Sequence, residues 1–175
     1  MTEHVADGVL GKFARQLNDW FRRVREGSLN HEEVARAVQN IINRGHPFVN
    51  DRRKDGWELL EDVDFSPIIA EKLEPITFLR AGENSISGRE MVRRAREELR
   101  ANLGQRHAEY LLEHQQDIPK EFREYYIVFT GTVWRPPGGR LLVACLRWRG
   151  EQWVLNFSWL EAAWSSVDRL ARPRE

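Results

Sequence analysis

Histidines, a lone cysteine, serines and clustered carboxylates are the residues here that could do chemistry, so their spacing comes first. The tempting histidine pair lies in "HAEYLLEH", with His107 and His114 at its ends. Seven residues apart, the two share a helix face but stand two turns, roughly 10 Å, apart along the axis. One ion cannot join them, because the helical zinc signature needs ligands at i and i+4. They read instead as solvated side chains beside Glu109 and Glu113. The single cysteine, Cys145, sits among Val143, Ala144 and Leu146, which predicts an inert buried thiol. Neither G-x-x-x-x-G-K-[ST] nor G-x-G-x-x-G occurs, so no nucleotide cofactor and no metal is expected.

Two segments support an enzymatic reading. "GENSISG", residues 82–88, is bounded by glycines and feeds a helix N-terminus, where backbone N–H groups can hold an anion. Arg89, Arg93 and Arg94 follow closely. The segment lacks the G-x-S-x-G nucleophile elbow, and Ser87 with Glu90 fits a capping box, which gives Ser87 a structural task. "WELLEDVDF" gathers Glu58, Glu61, Asp62 and Asp64. Without an Asp-x-Asp-x-Asp-Gly pattern it reads as an acidic surface loop. A small hydrolase or anion-binding enzyme would need Glu58, Glu61 or Asp62 to converge with Arg89 or His107. Residues 88–116 also read as helix, short turn, helix, the outline of a DNA-binding motif. Glu109, Glu113 and Asp117 make the second helix acidic, which a recognition helix should not be.

The other reading rests on rings and arginines. Five of the seven tryptophans lie within Phe129–Trp164. Most of these rings fall on one strand face and read as core: Trp153, Leu155, Phe157 and Trp159 alternate along a single strand. Trp134, Arg135, Arg147, Trp148 and Arg149 sit at strand ends or beside turns, where side chains reach solvent. Arginine beside tryptophan is the composition of binding hot spots, and also of surfaces that stack on single-stranded nucleic acid. These five residues are the candidate binding site of a non-enzymatic interaction module, with another protein, a second copy or a nucleic-acid strand as partner.

The elements that must position these residues follow from periodicity. Leu10, Phe13, Leu17, Trp20, Phe21 and Val24 have helical spacing, and Gly27 stops that helix. Asn30 with Glu33 starts a second one, whose stripe is Val34, Val38, Ile41 and Ile42. Together they predict a helical hairpin over residues 1–45. Residues 46–124 read as mixed and mainly helical. They begin with a loop containing a short strand, then a helix from Ser66 and Pro67. A strand in "PITFLRAGE", a helix capped by Ser87 and a helix over 105–117 follow. Pro119 starts a last short turn. After residue 125 the period changes from 3.6 to 2. "YYIVFTGTVW", "RLLVACLRW" and "WVLNFSWL" are strands joined by the turns "RPPGG" and "RGEQ". The second of these strands is apolar on both faces, so it should be the middle one. The chain therefore reads as one α+β domain: helical hairpin, middle helices, then a C-terminal antiparallel meander of three to four strands. The tail "SSVDRLARPRE" would add an edge strand.

Composition sets outer bounds. The 27 basic and 27 acidic residues cancel, which argues against bulk attraction to nucleic acid or membrane. The charge is uneven: residues 51–74 are net −4, residues 88–106 net +3, and residues 125–175 net +3 with seven arginines and no lysine. One cysteine forbids an internal disulfide and fits a reducing cytoplasm. The N-terminus lacks signal-peptide character, and no apolar run is long enough to span a membrane. Finally, "GENSISGREMVRRAREELRANLGQRHAEYLLEHQQDIP", "FTGTVWR", "RWRGEQWVLNFSWL" and "DRLARPRE" resemble proteins of small-genome, uncultivated bacteria. That resemblance covers residues 8–175. It implies a cytoplasmic, stand-alone bacterial protein and lends no activity and no functional residue.

Overall fold

The computed structural model describes residues 47–174, together with residues 18, 19, 21–23, 25–27, 30 and 32. The chain divides into two compact units, Met1–Gly45 and His46–Glu175. In the first, residues 18, 19, 21–23 and 25 are helical, and Arg22 pairs with both Asp19 and Glu26. Gly27 adopts a left-handed φ of +70°, the conformation that ends helices. Asn30 accepts a hydrogen bond from the Glu32 backbone at 2.9 Å, as an N-cap does. Phe21, expected on the buried stripe, is 57% exposed. The rest of the expected hairpin, including the stripe from Val34 to Ile42, lies outside the described residues.

The second unit is α+β, with a large and mostly antiparallel sheet. Its strands are β1 (Glu58–Glu61), β2 (Leu73–Ile76), β3 (Ser85–Ser87), β4 (Tyr126–Arg135), β5 (Leu142–Arg149), β6 (Gln152–Trp159), β7 (Ala163–Ser165) and β8 (Asp168–Pro173). Its helices are α1 (Gly88–Glu97) and α2 (Gln105–Glu113). Six strands form one sheet in the order β2-β8-β4-β5-β6, with β1 also paired to β4, while β3 and β7 form a separate ladder.

The three-strand meander β4–β5–β6 is present as expected, and β5 is covered on both sides. One face packs Phe129, Ala144, Leu146 and Trp153 against Ala108 and Leu111 of α2. The other packs Val128, Val143, Cys145 and Leu170 against Met91 and Ala95 of α1. Each Val, Leu, Phe or Met among them, removed from water, contributes roughly 1.5–3 kcal/mol. The "RGEQ" turn carries positive φ at both Gly150 and Glu151, the signature of a tight primed hairpin.

Three expectations need correction. The sheet exceeds a three- to four-stranded meander, because β1 and β2 join it from the region read as mainly helical. The tail strand β8 is no edge: it lies between β2 and β4 and runs parallel to β4. Its Leu170 and Ala171 point to opposite faces and are both buried, so it needs cover on both sides. The flanking Asp168, Arg169 and Arg172 disguise it as an edge. The helix expected from Ser66 shrinks to a 3-10 turn over Ala70–Lys72. The β-branched Ile68 and Ile69 disfavour helix there, and Pro75 closes off its continuation.

The strand β4 is not uniform. Phe129 faces Ala144, but Val133 faces Val143, so Thr130, Gly131 and Thr132 bulge out of the ladder. Before the bulge β4 pairs with β8; after it, β4 pairs with β1. The bulge presses on the segment before α2: a Cβ on Gly131 would lie 2.6 Å from the Asn102 carbonyl oxygen. Only glycine fits there.

Candidate functional site

The five residues selected from the sequence fall at two ends of β4. Trp134 is not at the surface. It is fully buried, its Nε1 donates to Gln105 Oε1 at 2.6 Å, and Phe48 meets it edge-on at 5.4 Å. The reason is β1, which pairs Leu59 with Trp134 and extends the sheet past what was read as its rim. Arg135 is exposed, but its guanidinium is taken by Glu58 at 2.9 Å.

The remaining three lie on β5 beside the other end of β4, Arg147 and Arg149 on one face of the sheet and Trp148 on the opposite face. Arg147 lies over the Tyr126 ring at 4.7 Å, from which it stands directly across the β4–β5 ladder. Trp148 is half-buried. Arg123 covers its ring at 3.8 Å, and Trp153 meets it edge-on at 5.7 Å. Arg149 is exposed at the mouth of the hairpin. Arg169 adds a third stack, 4.5 Å over Tyr125. Sequence reasoning missed Arg123, Tyr125, Tyr126 and Arg169. The available signal was the pair "YY" opening a strand. The arginines arrive from a 3-10 turn over Lys120–Glu124 and from β8. Among the described residues, Arg123, Arg147, Arg149 and Arg169 pair with no carboxylate; Arg169 donates instead to the Asp168 and Ser166 carbonyl oxygens. A guanidinium lying on a ring keeps in-plane N–H donors available for a carboxylate or phosphate.

The segments of the enzymatic reading are arranged differently. Residues 85–87 of "GENSISG" form β3 rather than an open loop, paired to β7. Ser87 Oγ accepts from the Glu90 backbone at 3.3 Å, the cap the sequence predicts. Gly88 is wedged against the Leu160 carbonyl and the Trp164 indole, where a Cβ would clash. At Gly88 the start of α1 is thus packed against the Leu160–Trp164 segment. Arg94 is buried, donating to the Phe78 carbonyl at 2.8 Å and to both Glu83 and Glu90. Arg93 serves Glu90, Glu97 and Glu98. Hydrogen bonds from these arginines hold the Glu83 and Glu90 carboxyls down to about 2. In the acidic segment Glu58, Glu61 and Asp62 each meet a different arginine: Arg135, Arg96 and Arg106. They diverge instead of converging. Burial pushes the Cys145 thiol up. Among the described residues, no group of three or more His, Cys, Asp or Glu is placed to hold a metal.

A third cluster was not foreseen. Gln105, His107, Glu109, Thr130 and Thr132 are all buried around the β4 bulge and the start of α2. Thr132 Oγ1 accepts from the Gln105 backbone at 2.8 Å and donates to Asp62 at 2.7 Å. Glu109 accepts from the backbone of Val49 and Asn50 at 3.0 and 2.8 Å, and from Gln105 Nε2 at 2.8 Å. With these bonds the carboxylate clasps the 49–50 turn to α2. His107, expected to be solvated, is buried against Phe65, 5.1 Å between ring centroids, and its Nδ1 accepts from the Gly104 backbone. Burial, aided by neighbouring Arg106, lowers its pKa to about 4. Read from sequence, Glu109 and His107 belonged to a polar helix face. The i, i+4 pairing of Gln105 with Glu109 was the only local hint that this face is internal.

Among the described residues, no helix is long and apolar enough to cross a membrane. Comparison with protein-family models, with curated proteins and with solved structures finds no match.

Proposed function

We propose that the protein is a non-enzymatic interaction module, acting in the cytoplasm, that binds an acidic segment of a partner protein. The binding surface is the rim formed by Arg123, Tyr126, Arg147, Trp148, Arg149 and Arg169. The observation that carries the reading is that these four arginines pair with no described carboxylate, while Arg93, Arg94, Arg96, Arg106 and Arg135 are all committed to ion pairs. Ring-stacked arginine with tyrosine and tryptophan is the composition that dominates binding energy at protein interfaces. A protein partner is favoured over a nucleic acid because Glu121, Glu124 and Glu151 flank the rim and the chain has zero net charge. A phosphodiester track needs an uninterrupted positive path.

The test is a titration of the full chain with two fluorescent probes of equal charge, a peptide of alternating glutamate and tyrosine and a single-stranded oligonucleotide. The reading expects the peptide to bind more tightly, with affinity falling as salt rises. Binding of the oligonucleotide alone would overturn it.

A further inference from the structure

We infer that the cavity between the C-terminal end of α1 and the end of β8 binds a small phosphorylated molecule. The cavity has a volume of about 500 Å³ and is lined by Glu98, Leu99, Arg100, Arg172, Pro173 and Arg174. Small-molecule sites usually measure roughly 300–1,000 Å³. Three guanidinium groups and one carboxylate meet in this lining. The carboxylate is engaged from behind: Arg80 and Arg93 donate to Glu98 at 3.0 and 2.7 Å. Arg172 is pinned by Glu74, which accepts from its Nε at 2.8 Å. Arg174 is held in place without an opposite charge. Its Nε donates to the Leu73 carbonyl at 3.0 Å, and it pairs with no carboxylate among the described residues.

The backbone of Arg100 is the second observation. The Leu99 and Ala101 N–H groups return to the Arg94 and Ala95 carbonyls at 2.9 Å each. Between them Arg100 takes a left-handed φ of +51°. Glycine or asparagine normally fills such a helix-ending position, because a Cβ there crowds the following carbonyl. Backbone held against its preference concentrates at ligand sites. Here it brings the guanidinium of α1's end into one lining with those of β8. Guanidinium forks match phosphate and carboxylate oxygens alike. Forks arriving from two elements suit the three terminal oxygens of a phosphate ester better than the two of a planar carboxylate. Leu99 and Pro173 offer an apolar wall to the organic part.

The inference does not depend on the arginine rim. Calorimetric titration of the full chain with phenyl phosphate tests it, beside phthalate as a dicarboxylate. Wild type should bind phenyl phosphate with single-site stoichiometry, and phthalate more weakly. Arg174→Ala and Arg100→Gly should each weaken phenyl phosphate binding at least ~tenfold. Arg100→Gly should unfold at no lower urea concentration than wild type, because glycine adopts the left-handed backbone freely. Its weakened binding is then not a loss of fold. Arg147→Ala/Arg149→Ala should bind phenyl phosphate as wild type does. Absence of binding at millimolar phenyl phosphate would overturn the inference. So would binding indifferent to both cavity variants, binding lost in the rim variant, or phthalate bound as tightly.

Discussion

At one end of β4, Trp134, Gln105, Glu109 and Thr132 are sealed from water, and their hydrogen bonds close on one another and on the 49–50 turn. At the other end, Arg123, Arg147 and Arg169 lie on rings with no carboxylate among the described residues to meet them. The two ends of one strand thus lie among rings and charged neighbours, to opposite purposes: Trp134 of β4 at one, Tyr126 of β4 and Trp148 of β5 at the other. Where β1 adds cover, the polar groups are satisfied internally and hold the fold. Where β8 is the neighbour instead, the arginines meet no carboxylate among the described residues. Polar richness alone does not mark a site; what separates the two regions is whether the donors and acceptors are already used.

The comparison can be broken by removing groups on either side. The largest loss is expected from Trp134→Ala, which empties a fully buried volume and strands the Gln105 amide. It should cost about 3–5 kcal/mol in urea unfolding. Glu109→Ala should come next. It leaves the Val49 and Asn50 N–H groups and the Gln105 amide without their acceptor, a loss of about 3 kcal/mol. If either variant unfolds at the wild-type midpoint, the cluster is not the clasp described here.

His107 sharpens the same side through pH. Its pKa falls from 6.5 to about 4 on folding, mainly because burial disfavours the charged ring. Between those values the unfolded chain holds a proton that the folded chain does not. Stability should therefore fall as pH drops from about 6.5 to about 4, by up to about 3 kcal/mol, and this group should add no slope above pH 7. Glu83 and Glu90, held at about 2, lose their contribution mostly at lower pH. The difference between wild type and His107→Gln isolates the imidazole. Equal slopes over that window would show that the ring is charged in the folded protein.

The smallest effect on stability is expected at the rim. Arg147→Ala and Arg149→Ala remove exposed side chains with no ion pair among the described residues and should each shift unfolding by less than about 0.5 kcal/mol.

What could be read in advance follows the range of the forces involved. The Ser87 cap, the α2 helix, the three meander strands and the Gly150 turn are fixed by neighbours in sequence, so spacing revealed them. The place of β8 depends on pairing residues 73–76 with 170–173, and no local pattern encodes such a partner. Trp134 was misplaced for the same reason: its cover comes from Leu59 in β1 and Phe48. Glu109 and His107 were misread because a polar helix face looks solvated until a turn from residue 50 closes over it. The exposure of Arg147 and Arg149 and the half-burial of Trp148 were legible from their strand-end position. Arg123 and Arg169 required the fold.

The most direct test of the contrast is an anisotropy titration of the glutamate–tyrosine peptide against three proteins: wild type, Arg147→Ala/Arg149→Ala and Trp134→Phe. The account predicts at least ~tenfold weaker binding by the rim variant and wild-type affinity for the folded Trp134→Phe variant. Unchanged binding by the rim variant, or binding lost with Trp134→Phe while it remains folded, would contradict it.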